Sequence, residues 1–540
     1  MATMATRRLA AALTLLLVAA CYTTAARQLK QDAPSSAAYV LGFGGSPARG
    51  AFVSAIARAG CALEDFTAEA GIATSVCPIG HLHKVSSCPS PGFPELGVNL
   101  VTKDVVFTTP GDDNGKPKPH DSDSSDDRAA AAAGASTDSS VVAGSTPPPK
   151  FFTGPITDTS ALNDPFWRRQ WAPKAIGAPA AWAKGINGRC VRVGLVDFVF
   201  GPPHNDLKNK YDFSVSKGFG NVDWTYNSPD PAGTYTAGIV GAEANNSDSV
   251  VGVAYGSTLI GASVSDEISG LNTMRLSKIA QGIIYAAKRK DEGGAGVDLI
   301  HANFPTDNII DRTNEAQMTE SGAFSNAVAV LNKAISFANR NGVLVVVPVG
   351  HVPYPTSGID LTYQKANFTA LCENANVLCV GAYGATGICK GTCVGNNYFC
   401  NVPKDIAGAN YSQLHPQSNY GRSVDVAGPA GNPLNYPAPC WGTNAIFSTG
   451  RYNIRIVTGV PFTAAPHAAA LAALYIQKAA MDKGILESEL CNPARTRTIV
   501  SPGQIKTAIK RGAVMPPGNA GEMRKYFGSG LINVPNTLGL

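Results

Sequence analysis

Charge is scarce in this chain of 540 residues, and its two signs nearly balance. Lys and Arg number 44 against 39 Asp and Glu, so the formal net charge is only +5 and charged residues make up 15% of the chain. Nucleic-acid binding needs clustered basic surface, so the composition gives no support for a nucleic-acid partner. Hydrophobic residues make up 44%, which is enough for a large core and excludes a wholly disordered chain.

Long apolar runs are also absent beyond the N-terminus. No internal stretch approaches the ~18 residues of a membrane-crossing helix, so no transmembrane segment is predicted. At the N-terminus two arginines precede an apolar run, Leu9–Ala20, and a small-residue cleavage site, Thr24-Ala25-Ala26. We therefore predict a signal peptide over 1–26 and a protein that is secreted or resides in the secretory pathway. A membrane anchor and a lipoprotein modified at Cys21 remain as alternatives.

Twelve cysteines are too few for a disulfide miniprotein, but export would place them in an oxidising compartment where disulfides persist. Beyond Cys21 they form a group of three and a group of eight. The group of eight could form up to four disulfides, whose pairing the sequence leaves open. The group of three leaves one cysteine unpaired. Zinc at Cys389, Cys393 and Cys400 is an alternative, although no His lies nearby at zinc-finger spacing. The candidate glycosylation acceptors in a eukaryotic cell are Asn245, Asn367 and Asn410.

Residues 37–108 have the pattern of a compact module. A short apolar strand, Ala38–Phe43, is followed by a helix that opens at Ser46-Pro47, and further strands are predicted within 62–76 and 98–106. Strands and a helix that alternate over so short a length predict a small α/β sandwich.

Residues 109–152 differ from this module in composition. They are rich in Asp, Ala, Ser and Pro and nearly devoid of large apolar side chains, so burial cannot offset their ordering entropy. We predict a disordered linker. Its acidic residues are interpreted as solvating, with ligand binding as the alternative.

Beyond residue 153, apolar strands alternate with amphipathic helices. Val191–Val196 and Val343–Val347 are near-continuous apolar runs, as expected of strands buried on both faces. Leu276–Lys290 and Phe324–Asn339 carry apolar residues at helical spacing. This order predicts an α/β fold, with a parallel sheet of six or more strands and helices on both faces.

Motifs of this region resemble, in their order, those of the subtilisin-like serine peptidases. The resemblance covers about residues 160–540, and the ordered set is far more specific than any one block. It implies a subtilisin-like fold for 153–540 and, more weakly, a propeptide or inhibitor role for 37–108. The blocks are the strand ending at Asp197 with His204-Asn205-Asp206-Leu207, then Gly233–Val240, Gly342–Gly350, Ala464–His467 and Gly528–Asn533.

Three of the family's four catalytic positions are changed. The family needs an Asp that orients an imidazole, a His base, a Ser nucleophile and an Asn that binds the oxyanion. Asp197 matches the first, but Ala232 replaces the His, Phe462 replaces the Ser and His351 replaces the Asn. An alignment with one inserted residue places Pro461 at the Ser position instead. Alanine cannot accept a proton, and neither phenylalanine nor proline offers a nucleophile.

The resemblance and these changes together lead to two hypotheses. The first is a non-catalytic homologue that binds a peptide or protein in the degenerate cleft, with edge-strand pairing supplying affinity and the propeptide-like module as a further partner. The second is an active endopeptidase with non-standard groups, for which Thr463 would be the substitute nucleophile and His204 the substitute base.

No cofactor is predicted from the residues themselves. Calcium is implied only by the family resemblance, with Asp164 where some relatives place a ligand. We further expect Thr463–Lys478 to form a long, buried, alanine-rich helix. Asp197, Ala232 and Phe462 should meet at the carboxyl edge of the sheet, where open α/β folds place their sites.

Overall fold

The structure is a computed structural model, and it forms two compact units, each described here by itself. The first comprises residues 1–105 with Thr319–Lys333, and the second 106–318 with 334–540. The predicted signal peptide and nearly all of the predicted linker lie outside the described residues. So do Cys88, Cys389, Cys393, Cys400 and Cys440. The structure describes residues 36–43, 49–58, 61–67, 70, 72–78, 98–103, 106–108, 152–201, 204–225, 231–268, 271–303, 309–311, 315–351, 357–362, 367–369, 371–386, 410–431, 445–451, 454–457, 461–492 and 498–540.

The first unit is an antiparallel sheet with a helix. Its elements are β1 (Ser36–Phe43), α1 (Arg49–Arg58), β2 (Ala62–Thr67), β3 (Ile72–Pro78) and β4 (Val98–Lys103). The strand order is β2-β3-β1-β4. Phe52 and Ile56, one turn apart on α1, join Phe43 in the core. The strand predicted within 62–76 is present but divided in two, since β2 and β3 form an antiparallel pair there.

The second unit contains the remaining strands. They are β5 (Val106–Thr108), β6 (Arg192–Asp197), β7 (Lys217–Gly218), β8 (Thr258–Ser263), β9 (Ser265–Ile268), β10 (Leu271–Arg275), β11 (Leu299–Ala302), β12 (Ile309–Asp311), β13 (Leu344–Pro348), β14 (Asn367–Thr369), β15 (Val377–Thr386), β16 (Asn410–Leu414), β17 (Val426–Pro429), β18 (Ile446–Thr449) and β19 (Ile454–Val457). The predicted strand 98–106 is wrong at its end, since β4 stops at Lys103 and β5 joins another sheet.

An eight-stranded sheet forms the centre of this unit. Its order is β16-β15-β13-β11-β6-β8-β7, with β17 paired to β15. The pairs are parallel apart from β15 with the edge strand β16, which is antiparallel. The α/β fold with a largely parallel sheet is therefore confirmed. Every residue of β6 is buried, as expected of a strand covered on both faces.

Helices cover both faces of the sheet. The helices of this unit are α2 (Trp171–Ala175), α3 (Ala178–Trp182), α4 (Ala232–Gly241), α5 (Leu276–Ala287), α6 (Glu315–Arg340, shared with the first unit), α7 (Ala464–Asp482), α8 (Glu487–Leu490), α9 (Pro502–Gly512), α10 (Ala520–Phe527) and α11 (Val534–Leu538). On one face Val193 and Leu195 share a core with α4 and α7. On the other, a Cβ on Gly194 would lie 3.3 Å from Ala286 of α5.

The predicted helices are present, with shifted ends. The alanine-rich helix α7 is long and largely buried, as predicted, and runs to Asp482. Helix α6 begins at Glu315, nine residues before the predicted start, because the polar residues there lack the apolar periodicity used to place it. Among the described residues no helix combines the length and hydropathy needed to cross a bilayer.

Three disulfides join described cysteines. In the first unit Cys61 bonds Cys77. In the second, Cys190 bonds Cys491 across 301 residues of sequence, and Cys372 bonds Cys379 across 7. The long-range bridge ties the segment before β6 to the end of α8, so it closes a loop that contains most of the sheet.

Candidate functional site: the carboxyl edge of β6

Asp197 ends strand β6 and is fully buried. Its Oδ1 accepts hydrogen bonds from the Phe198 N–H at 2.8 Å and from Asn303 Nδ2 at 3.1 Å. Its Oδ2 accepts one from the Thr236 hydroxyl at 2.7 Å. The carboxylate is therefore held in place by a backbone amide, a side-chain amide and a hydroxyl. None of these three donors is a base that the carboxylate could orient for proton transfer.

Sequence reasoning missed both side-chain partners of Asp197. Thr236 lies four residues after Ala232 on α4 and so projects from nearly the same helix face, one turn further on. Asn303 directly follows β11, the neighbour of β6, so the parallel register brings it to the same sheet edge. Helical spacing could have indicated Thr236. Asn303 could have been found only from the strand order.

Ala232 is the first residue of helix α4, after Pro231 at the N-cap. The helix start is fixed to the segment after Asp197, because Gly233 N–H donates to Val199 O at 3.0 Å. Only glycine fits at 233, since a Cβ there would lie 2.7 Å from the Phe200 ring. The structure thus brings Ala232 beside the end of β6, and its methyl group offers no atom that could take a proton.

Phe462 lies in a short 3-10 turn, Pro461–Thr463, directly before α7. It is half-buried and packs against a cluster that includes Tyr235 of α4, Trp171 and Tyr383. The turn before α7 and helix α4 therefore pack against a common cluster of apolar and aromatic side chains.

The two candidate substitute groups, Thr463 and His204, are both buried. Thr463 is fully buried, and its carbonyl oxygen accepts a hydrogen bond from His467 Nδ1 at 2.8 Å. His204 Nδ1 accepts from the Asp206 N–H at 3.1 Å, and its Nε2 lies 3.5 Å from the Ser249 hydroxyl. His204 thus organises the turn that carries Asp206.

His351 follows β13 and forms an isolated antiparallel bridge with Ser418. Its Nδ1 is buried without a hydrogen-bond partner, and burial lowers its pKa to about 4. A second buried histidine, His415, lies nearby. Burial lowers its pKa to about 3, and the positive charge of His351 adds to this lowering. Both rings are therefore neutral at neutral pH.

A small three-stranded sheet, in the order β5-β10-β9, begins next to Asp197. The hairpin β9–β10 starts directly after β8, where the Val264 N–H donates to Asp197 O at 2.9 Å. Strand β10 pairs on its other side with β5, in the antiparallel register Thr273 to Thr108 and Arg275 to Val106. An extended segment of the chain itself thus occupies this edge, in the manner by which such edges bind peptides.

The residues around the loop 245–250 fit calcium. Asp164 Oδ2 accepts from the Asn245 N–H at 2.9 Å, while its Oδ1 is buried without a partner. Burial raises the pKa of Asp164 to about 6 and that of Asp206 to about 8, and the nearby Asp248 adds to both shifts. A buried carboxylate oxygen without a partner, Asp164 Oδ1, beside a loop rich in backbone and amide oxygens suits a hard cation such as Ca²⁺.

Dense metal-binding clusters are otherwise scarce. Within the described ranges, Cys190, Glu487 and Cys491 are the only acidic, histidine or cysteine side chains grouped in threes at ligand distance. The two cysteines are bonded to each other. This group therefore offers a metal only the Glu487 carboxylate, which already binds Arg189 at 2.6 Å.

The family model described as the Subtilase family matches residues 188–530, more than half of the chain. This chain therefore belongs to the subtilase family.

Two curated relatives align with most of this region. A thermophilic serine proteinase of Bacillus sp. (strain AK1) is 26% identical over 317 residues, which cover 58% of this chain and 59% of the relative. An extracellular basic protease of Dichelobacter nodosus is 26% identical over 399 residues, which cover 66% of this chain and 55% of the relative. The chain thus spans less than two thirds of the length of these relatives.

Solved structures show the same fold. The epidermin leader peptide processing serine protease (EpiP) from Staphylococcus aureus superposes with a TM-score of 0.59 at 16% identity, covering 94% of this chain and 99% of that one. Fervidolysin from Fervidobacterium pennivorans superposes with a TM-score of 0.53 at 14% identity, covering 95% and 62%.

Proposed function

We propose that this subtilase is a non-catalytic homologue that binds an extended peptide or protein segment in its former active-site cleft. The observation that carries the proposal is the state of the triad positions. Ala232 supplies no base, Phe462 supplies no nucleophile and packs against an aromatic cluster, and the Asp197 carboxylate accepts from Thr236 and Asn303. Acyl transfer needs a base and a nucleophile in contact.

Peptide binding is favoured by the edge strand β10. Its pairing with Val106–Thr108 supports the proposal, because a segment of the chain already binds this edge in antiparallel register. Residues 106–108, at the end of the propeptide-like module, would therefore compete with an external ligand. Backbone hydrogen bonds would give the affinity, and the half-buried side chain of Phe462 would favour apolar residues in the ligand.

The alternative function is an active serine endopeptidase with non-standard groups, supported by the names of the relatives. A fluorophosphonate probe separates the two, because it labels only an activated serine or threonine nucleophile. We expect no labelling of the full-length secreted protein under conditions that label an active subtilase. Labelling of a single residue that is abolished by Thr463→Ala would establish the enzyme and refute the proposal.

We further propose that the chain is secreted after removal of residues 1–26 and carries N-linked glycans. The exposed side chain of Asn245 is the acceptor best placed for modification among those described. N-terminal sequencing of the mature protein from a eukaryotic host and treatment with a glycan-removing amidase test both points. A retained N-terminus and an unchanged mobility would contradict them.

A further inference from the structure

Two buried histidines meet at one turn beside the cleft. The latch turn, residues 415–419, connects β16 to the segment that precedes β17. The His415 N–H donates to Ala382 O at 3.0 Å, and its carbonyl accepts from the Ser418 N–H at 2.9 Å. Ser418 bridges His351, which stands at the former oxyanion position.

The latch turn fastens the end of β13 to a neighbouring loop. The Asn419 N–H donates to Gly350 O at 3.1 Å, and its Oδ1 accepts from the Ile359 N–H at 3.0 Å. Pro416 O accepts from the Gly358 N–H at 2.8 Å. If the turn opens, the backbone that carries His351 loses its contacts on this side.

The turn depends on a neutral imidazole. His415 Nδ1 accepts a hydrogen bond from the Gln417 N–H at 3.2 Å, so this nitrogen must lack a proton and Nε2 must carry it. Nε2 is buried without an acceptor. Protonation of Nδ1 would place two N–H groups face to face, and Nε2 of the charged ring would still have no acceptor among the residues that the structure describes. The charged form therefore fits the open turn and not the closed one.

Other charged groups on the packed elements are already paired with one another. Asp360 on the adjoining loop binds Lys525 of α10 at 2.6 Å, and Lys525 lies over the Tyr420 ring. Tyr383 of β15 belongs to the aromatic cluster on the other side. Burial lowers the pKa of both histidines, and the further lowering at His415 comes from His351.

We propose that His351 and His415 form an acid-operated latch, which holds the latch turn closed at neutral pH and opens it on mild acidification. A free histidine titrates near 6.5, so between pH 7.5 and pH 5 each histidine that becomes exposed favours the open turn by about 30-fold. On the proposed function, opening would release a ligand bound in the cleft, so that the protein binds at neutral pH and releases in acid.

Hydrogen exchange of the full-length protein, measured by mass spectrometry at pH 7.5 and pH 5 and corrected for the intrinsic rate, tests the latch. Peptides that cover residues 411–421 should exchange at pH 5 about 30-fold faster for each histidine that the opening exposes. His415→Asn keeps a side-chain acceptor for Gln417 but cannot be charged, so it should remove the factor that His415 contributes. His467→Asn, which removes a buried histidine of α7 instead, should leave it unchanged.

Corrected exchange that is the same at both pH values, or an acceleration in His415→Asn equal to that of the wild type, would overturn the latch. If His415→Asn does not fold, the pH series of the wild type decides the question by itself. The exchange measurement needs no ligand. If the turn opens in acid but peptide binding does not change, the proposed link to a ligand is refuted and the latch itself is still supported.

Discussion

The Asp197 carboxylate should be a determinant of stability. In an Asp197→Ala variant three buried donors lose their acceptor: the Phe198 N–H, Asn303 Nδ2 and the Thr236 hydroxyl. Each unsatisfied buried donor costs about 1–3 kcal/mol. The hydroxyl and the amide can partly reorient, and removal of the charge relieves its own desolvation cost. We therefore expect a loss of about 3–5 kcal/mol in the free energy of unfolding.

Comparison of Asp197→Asn with Asp197→Ala separates the effect of the carboxylate's charge from the effect of losing the whole side-chain group. Asp197→Asn keeps one acceptor oxygen for Phe198 and Asn303 but replaces the acceptor of Thr236 with an amide, so the expected loss is about 1–2 kcal/mol. Guanidinium unfolding followed by tryptophan fluorescence under oxidising conditions measures both variants, with the exposed Asp482→Ala as the control. If Asp197→Ala unfolds within 1 kcal/mol of the wild type, the carboxylate has no structural role and the reasoning fails.

Two further predictions concern the helix after the site and the acidic loop. Ala472→Leu should lower the free energy of unfolding by about 1–3 kcal/mol, because Ala472 of α7 is fully buried and a larger side chain would overpack the core. An unchanged melting temperature would mean that this face of α7 is exposed. Removal of calcium by a chelator should lower the melting temperature of the wild type. Asp164→Asn should abolish that difference, because it removes the charge of the carboxylate whose Oδ1 has no partner in the protein. Equal calcium stabilisation of both proteins would exclude Asp164 as a ligand.

Periodicity predicted the parts of the fold that bury a continuous face. The apolar runs that became β6 and β13 and the amphipathic pattern of α5 identified the elements correctly, since burial on the sheet dictates those residues. The pattern was less informative where side chains are polar. The first turns of α6 carry no apolar stripe, and only Gly71 marked the break between β2 and β3.

The site was predictable as a set of positions and not as a set of contacts. Motif order located Asp197, Ala232, Phe462 and His351 because their flanking residues are retained. The new partners of these residues come from distant segments: Asn303 is 106 residues from Asp197. Contacts of that kind follow from strand order and helix packing, which a single sequence specifies only through the assembled fold.

On the proposed function, the contacts in the cleft explain why Ala232→His and Phe462→Ser together would not rebuild an enzyme. An imidazole at position 232 would have to compete with the Thr236 hydroxyl for Asp197 Oδ2. A serine at position 462 would withdraw a ring that packs against the cluster around Tyr235 and leave a space beside it. The oxyanion position would still carry His351, whose Nδ1 is sealed in protein. The Thr236–Asp197 hydrogen bond and the packing of Phe462 both stabilise the folded chain, so stability and catalysis would make opposing demands on positions 232 and 462.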